Sequence, residues 1–119
     1  MNEESLEVTP AGKIGRFQII RLAGEFDLNE VRNFEAKIDE ILADNKAHVV
    51  LDLNELEYLD SSGIGCLVRL YRDTVERADG KFVIYRPKDF IKELFEVSNL
   101  TKFLAIVESQ EALERTCQG

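Results

Sequence analysis

The sequence predicts an α/β protein with a mixed, mostly parallel β-sheet of four to five strands and about four helices. Two observations carry that reading. Apolar residues fall alternately into short strand-like runs and into stripes at three- and four-residue steps, in the order β-β-α-β-α-β-α-β-α. Strand, helix and strand in series imply right-handed crossovers and parallel neighbours, whereas the first two strands are close enough to pair as an antiparallel hairpin. With 119 residues the chain is expected to be a single domain over 1–119, with its core at about 6–113.

Each element has its own signal. Leu6-Glu7-Val8-Thr9 alternates apolar and polar residues, and Pro10-Ala11-Gly12 reads as the turn that closes a hairpin. Phe17 to Ala23 is the second arm, stopping at Gly24. Val31, Phe34, Ile38, Ile41 and Leu42 form a helical stripe, with Asp27 and Asn29 as candidate caps and Asp44-Asn45-Lys46 as its end. Val49 to Leu53 is nearly all apolar, as a central strand covered on both faces should be. A polar connector, Asn54-Glu55, leads to Leu56-Glu57-Tyr58-Leu59. Ile64, Leu67, Val68, Tyr71 and Val75 make the next helix, stopping near Gly80. Lys81 to Tyr85 is a strand, and Pro87 opens a helix with Phe90, Ile91, Leu94 and Phe95 inward, ending at Ser98-Asn99. Phe103 to Val107 is the last strand. Ser109 caps a C-terminal helix that faces Ala112 and Leu113 inward.

Composition excludes whole classes of function. Hydrophobic residues at 45% and charged residues at 32% are globular proportions. The net charge of −8 repels phosphate backbones and anionic lipid, and Lys and Arg are scattered singly, so neither nucleic acid nor membrane is an expected partner. No apolar run approaches the ~20 residues of a membrane span. Met1-Asn2-Glu3-Glu4 is acidic where a signal peptide would be basic, so a cytoplasmic protein is expected. Cys66 and Cys117 are far apart and read as one core residue and one tail residue, not a disulfide or a metal site. The single histidine, His48, begins an apolar run and does not support a catalytic triad. No cofactor and no metal are expected, and the chain does not read as an enzyme.

The segment with chemical content is Asp60-Ser61-Ser62-Gly63-Ile64-Gly65, where a strand hands over to a helix. Such junctions display side chains at the rim where α/β proteins place function. Asp60 or Ser61 can cap the helix, and its N–H groups and dipole favour an added negative charge. Gly63 and Gly65 would let another chain or a phosphate approach the backbone. Capping alone also accounts for this composition. The segment fits neither a dinucleotide fingerprint, a nucleophile elbow nor a P-loop. Gly24-Glu25-Phe26-Asp27-Leu28 also follows a strand and precedes a helix, which puts two acidic loops on one rim.

These two motifs, with Val49 to Leu53 and Gly80-Lys81-Phe82, resemble the STAS domain family, and most nearly its small stand-alone bacterial anti-sigma factor antagonists. The resemblance runs from about Leu6 to about Leu113. It implies a STAS-like fold and a non-enzymatic switch. Unphosphorylated members bind an anti-sigma factor that is also a GHKL-type serine kinase, which releases the sigma factor. The kinase phosphorylates the first serine of the motif, here Ser61, with Ser62 as the alternative or as a helix cap. A metal-dependent serine phosphatase reverses the step. Asp60 matches an acid used in partner binding and phosphorylation. The implied contact set is Gly24, Glu25, Asp27, Asp60, Ser61, Ser62, Gly63 and Ile64, on a monomer. Other STAS proteins serve stressosome-like assemblies, lipid-transport machinery or small-ligand sensing, and these are the alternatives.

Overall fold

The computed structural model describes residues 5–118. They form a five-stranded sheet whose spatial order, β1-β2-β3-β4-β5, is also chain order. β1 (Leu6–Ile14) pairs antiparallel with β2 (Phe17–Phe26); β3 (His48–Leu59), β4 (Lys81–Tyr85) and β5 (Ala105–Val107) continue in parallel. The crossovers carry α1 (Val31–Ile41), α2 (Ser61–Tyr71) and α3 (Asp89–Val97), and α4 (Gln110–Thr116) follows β5. This is the mixed sheet that the alternation of periods predicts.

The helices divide between the two faces. Phe34 and Ile38 of α1, Leu67 and Leu70 of α2, and Ile91 and Phe95 of α3 pack with Leu22, Leu51 and Ile84 in one large core. On the other face, Leu113 and Cys117 at the end of α4 pack on Phe17, Val50, Val83 and Tyr85. Successive strand residues point to opposite faces, so Val49 and Leu51 serve the first core and Val50 the second. That is why the β3 run is apolar without alternation. Cys117 is therefore no tail residue: it is buried at the C-cap of α4. Burial pushes both cysteine thiols above their usual pKa, which keeps them protonated.

Several boundaries differ from the sequence reading, each for a local reason. β1 runs through Pro10-Ala11-Gly12 to Ile14, with a bulge between Pro10 and Lys13. The reversal falls on Gly15-Arg16 instead, where Gly15 takes φ +57 as the first residue of a two-residue turn. Pro10 is tolerated because β1 is an edge strand. β2 continues past Gly24 to Phe26, and β3 continues through Asn54-Glu55 to Leu59. Two register shifts against β2 absorb the extra residues in β3. Pro87 is buried and lies outside α3, whose N-cap is Lys88. Phe103 and Leu104 precede β5, and a π-helical turn, Arg72–Arg77, extends α2.

Two buried carboxylates tie the elements together, and a buried hydroxyl bonds within its own helix. Glu30 accepts hydrogen bonds from the backbone N–H groups of Ser5 and Leu6 at 3.3 and 3.2 Å, joining the start of α1 to β1. Asp52 accepts from Arg86 Nη2 at 3.0 Å and from the Asn54 N–H at 3.1 Å, and Arg21 lies 3.6 Å away. The hydrogen bond to Asp52 raises the Arg86 pKa further. The hydroxyl of fully buried Thr74 donates back to the Tyr71 carbonyl.

His48 sits at the foot of β3 with its ring edge-on to Phe17, 5.1 Å between centroids. Burial, with the nearby charges of Arg16 and Lys81, lowers its pKa from 6.5. The folded value is thus below the unfolded one, and the stability it contributes is present above about pH 6.5 and lost as pH falls through the folded value. Urea titrations between about pH 7 and pH 5 should show wild type losing more stability than His48→Gln. Gly80 has no room for a side chain, because a Cβ there would lie 1.5 Å from the Ala47 carbonyl oxygen. Gly80→Ala should cost at least about 1–3 kcal/mol in urea unfolding.

Candidate functional site

Parallel pairing of β2 with β3 sets Phe26 opposite Leu59, so the loops that follow the two strands leave the sheet side by side. Asp60 then stitches them together. Its backbone N–H donates to the Phe26 carbonyl at 3.2 Å. One carboxylate oxygen, Oδ1, accepts from the Gly63 N–H at 3.0 Å and caps α2. The other, Oδ2, accepts from the Leu28 N–H at 3.2 Å. The first rim loop has its own cap, because Asp27 Oδ1 accepts from the Asn29 N–H at 2.9 Å at the head of a 3-10 turn, Leu28–Glu30. Asn29 contributes that backbone donor and not a capping side chain.

The cap of α2 is therefore Asp60 and neither serine. Ser61 is the first helical residue and is exposed, while Ser62 behind it is half-buried. Glu25 is exposed, Asp27 and Asp60 are half-buried, and Ile64 is half-buried against the core. The two motif glycines in the expected contact set do internal work. A Cβ on Gly63 would lie 2.5 Å from Leu59 Cδ1 and 3.1 Å from Phe26 Cγ, so this residue lets the start of α2 lie flat on the strand ends. Gly24 has φ +101, and a Cβ there would meet the Ser5 carbonyl oxygen at 2.1 Å. Neither opens the backbone to an outside molecule. Gly65 does, since a Cβ there would find only Arg69 Nη1, 3.9 Å away.

Electrostatically the rim is acidic, with Glu25, Asp27 and Asp60 around the start of α2. The free N–H groups and dipole of that helix start favour negative charge, and they offset part of the repulsion that a further anion would meet. Large apolar side chains adjoin it. Leu28 is 68% exposed, and Tyr58, Leu59, Phe90, Glu93, Leu94 and Val97 line a mostly apolar groove of about 440 Å³ between the end of β3 and α3. Phe90 corrects the expected inner face of that helix: it is 43% exposed and lines the groove. Periodicity assigned it inward because it neighbours Ile91, and nothing in the spacing distinguishes a core stripe from one that overhangs the rim. Among the described residues, no group of three or more His, Cys, Asp or Glu side chains is placed to hold a metal ion, and no helix is long and apolar enough to cross a membrane.

Asp60→Ala should lose about 1–2 kcal/mol of stability, the cost of an emptied N-cap, measured by urea unfolding. Gly63→Ala should lose about 1–3 kcal/mol by overpacking against Leu59 and Phe26.

Comparison with known proteins adds three findings. The family model for the STAS domain matches residues 10–113. The anti-sigma F factor antagonist of Lysinibacillus sphaericus is 28% identical over 98 residues, covering 82% of this chain and 83% of its own. Two solved structures share the fold. One is an anti-sigma factor antagonist from Mycobacterium paratuberculosis, with a TM-score of 0.80 at 20% identity over 97% of this chain and 96% of that one. The other is the Bacillus cell fate determinant SpoIIAA in its phosphorylated form, with a TM-score of 0.68 at 23% identity over 92% of this chain and 99% of that one.

Proposed function

Because this chain belongs to the STAS domain family, we propose that it is an anti-sigma factor antagonist, a regulatory binding protein and not an enzyme. In its unphosphorylated form it docks on an anti-sigma factor that is also a GHKL-type serine kinase, and the sigma factor is released. The kinase phosphorylates Ser61, which ends the interaction. A metal-dependent serine phosphatase restores the active form. The protein works as a cytoplasmic monomer.

The observation that carries this reading is the exposed Ser61 at the first position of α2, on a rim shared by two capped acidic loops. A kinase needs a reachable hydroxyl, and Ser61 is more exposed than Ser62. Because Asp60 already caps the helix, the Ser61 side chain is not needed for that task. Glu25, Asp27, Asp60, Ser62 and Ile64 surround it as the contact set, with Gly24 and Gly63 shaping the backbone beneath.

The switch follows from charge. A phosphoserine adds about −1.5 to −2 charges at a helix N-terminus, where the dipole tolerates them, so the fold is preserved. The same charge lies beside Asp60 and inside the docking surface. A penalty of about 3–4 kcal/mol for burying and repelling it lowers affinity a few hundredfold.

The test is a pull-down from the native host with wild type and Ser61→Asp as paired baits. A GHKL-type kinase held by wild type and weakened by the variant is the expected result; components of a transport machine or a large assembly, held regardless of Ser61, would overturn it. Ser61→Ala should fold normally and hold the kinase constitutively. Intact-mass analysis should show a gain of about 80 Da on part of the native population, from one added phosphoryl group. Protein phosphorylated on Ser61 should bind a few hundredfold more weakly than unmodified protein in calorimetry, and equal affinity would remove the electrostatic account.

A further inference from the structure

An exposed leucine is ordinary on a protein surface. Leu28 is distinguished by the way its backbone is held. Its own N–H is bound by Asp60 Oδ2 at 3.2 Å, from the neighbouring loop. Its two flanking residues are joined across it, because Asp27 Oδ1 accepts from the Asn29 N–H at 2.9 Å. The Glu30 N–H donates to the Asp27 carbonyl at 3.0 Å, and the Glu30 carboxylate is anchored in turn on the N–H groups of Ser5 and Leu6. The side chain is left 68% exposed on this mount. An apolar group whose backbone is already ordered pays little conformational entropy on docking.

We propose that Leu28 is an apolar docking contact for the anti-sigma factor, and that Asp60 is the positioning residue that holds it in place. This rests on the functional reading above and extends it to a residue outside the acidic and serine motif positions. The two acids that precede it define the receiving surface: a shallow apolar pocket bordered by Lys or Arg, complementary to Asp27 and Glu25. Asp60 then contributes to affinity through Leu28, whether or not its carboxylate touches the partner.

The chemistry of asparagine separates this role from capping. Asp60→Asn keeps one acceptor oxygen, enough to cap Gly63, and places an NH2 donor where the Leu28 N–H needs an acceptor. Amide hydrogen exchange by NMR on the protein alone should show Leu28 exchanging about tenfold faster in Asp60→Asn, with Gly63 and Leu6 still protected. Unchanged exchange at Leu28 would overturn the positioning role.

Binding is then measured by calorimetry with the purified kinase recovered in the pull-down, using wild type, Leu28→Ala, Asp60→Asn and the double variant. Leu28→Ala should weaken binding about ten- to hundredfold without changing the melting temperature, as expected for one lost apolar contact. The double variant should bind more tightly than the two single effects multiplied together would give, because both changes remove the Leu28 contact. Wild-type affinity in Leu28→Ala overturns the docking role while leaving the antagonist reading intact. Effects of the two changes that multiply overturn the coupling. Failure of wild type to bind any anti-sigma factor overturns the antagonist reading itself.

Discussion

One carboxylate holds the working rim together. Asp60 accepts a backbone N–H from each of two loops, at 3.0 Å from Gly63 and 3.2 Å from Leu28, and its own N–H reaches the carbonyl of Phe26. The part-buried Gly63 N–H costs about 1–3 kcal/mol if it is left without a partner, and the bond to the Leu28 N–H, at the exposed rim, ties the second loop to the same carboxylate. The arrangement depends on parallel pairing upstream, since only the register that sets Phe26 opposite Leu59 brings both loops within reach of one side chain. Two extra residues in β3 are absorbed as irregularities before that point, which returns the strand ends to alignment.

Beneath the rim, packing sets how close the helix can come. Gly63 leaves space for Leu59 and Phe26, whose side chains belong to the main core, so the first turn of α2 rests on the ends of the strands. The consequence is that Ser61 is lifted to the surface while the residue two positions later is buried. Exposure of the serine and burial of the glycine are two sides of one helix start. They come from the rotation of the helix about its axis, which the core residues Cys66, Leu67 and Leu70 fix.

The same geometry limits what a phosphate at Ser61 can do. Helix N–H groups oriented toward the rim would offset part of the charge of the proposed phosphate, and Asp60 would oppose it, so the fold would have no reason to change and the surface potential every reason to. The proposed switch would act through the cost of bringing a partner against a charged surface and would need no moving part. The groove along Tyr58, Phe90 and Val97 and the exposed Leu28 would supply the apolar area that the proposed charge-regulated contact needs for affinity.

The order of elements, the division into helix and strand periods and the two rim motifs were legible in the sequence, because each depends on spacing within about ten residues. The Asp60-to-Gly65 junction was legible for the same reason: a cap, two small hydroxyl residues and a glycine are local chemistry. Tertiary structure decided the rest. Sequence offered Asp60, Ser61 and Ser62 alike as caps, and the orientation of α2 on the sheet chose Asp60. Gly63 and Gly65 read alike as openings, and the packing of Leu59 and Phe26 against the helix start closed the first and left the second open. The hairpin turn moved to Gly15-Arg16 because β1 follows the register of β2 and not its own proline. Cys117 entered the second core only because α4 lies on a face that no periodicity in its short sequence could name. Local spacing determines which face of an element is apolar; which neighbour covers it, and which side chain is left at the edge, is settled only when the elements meet.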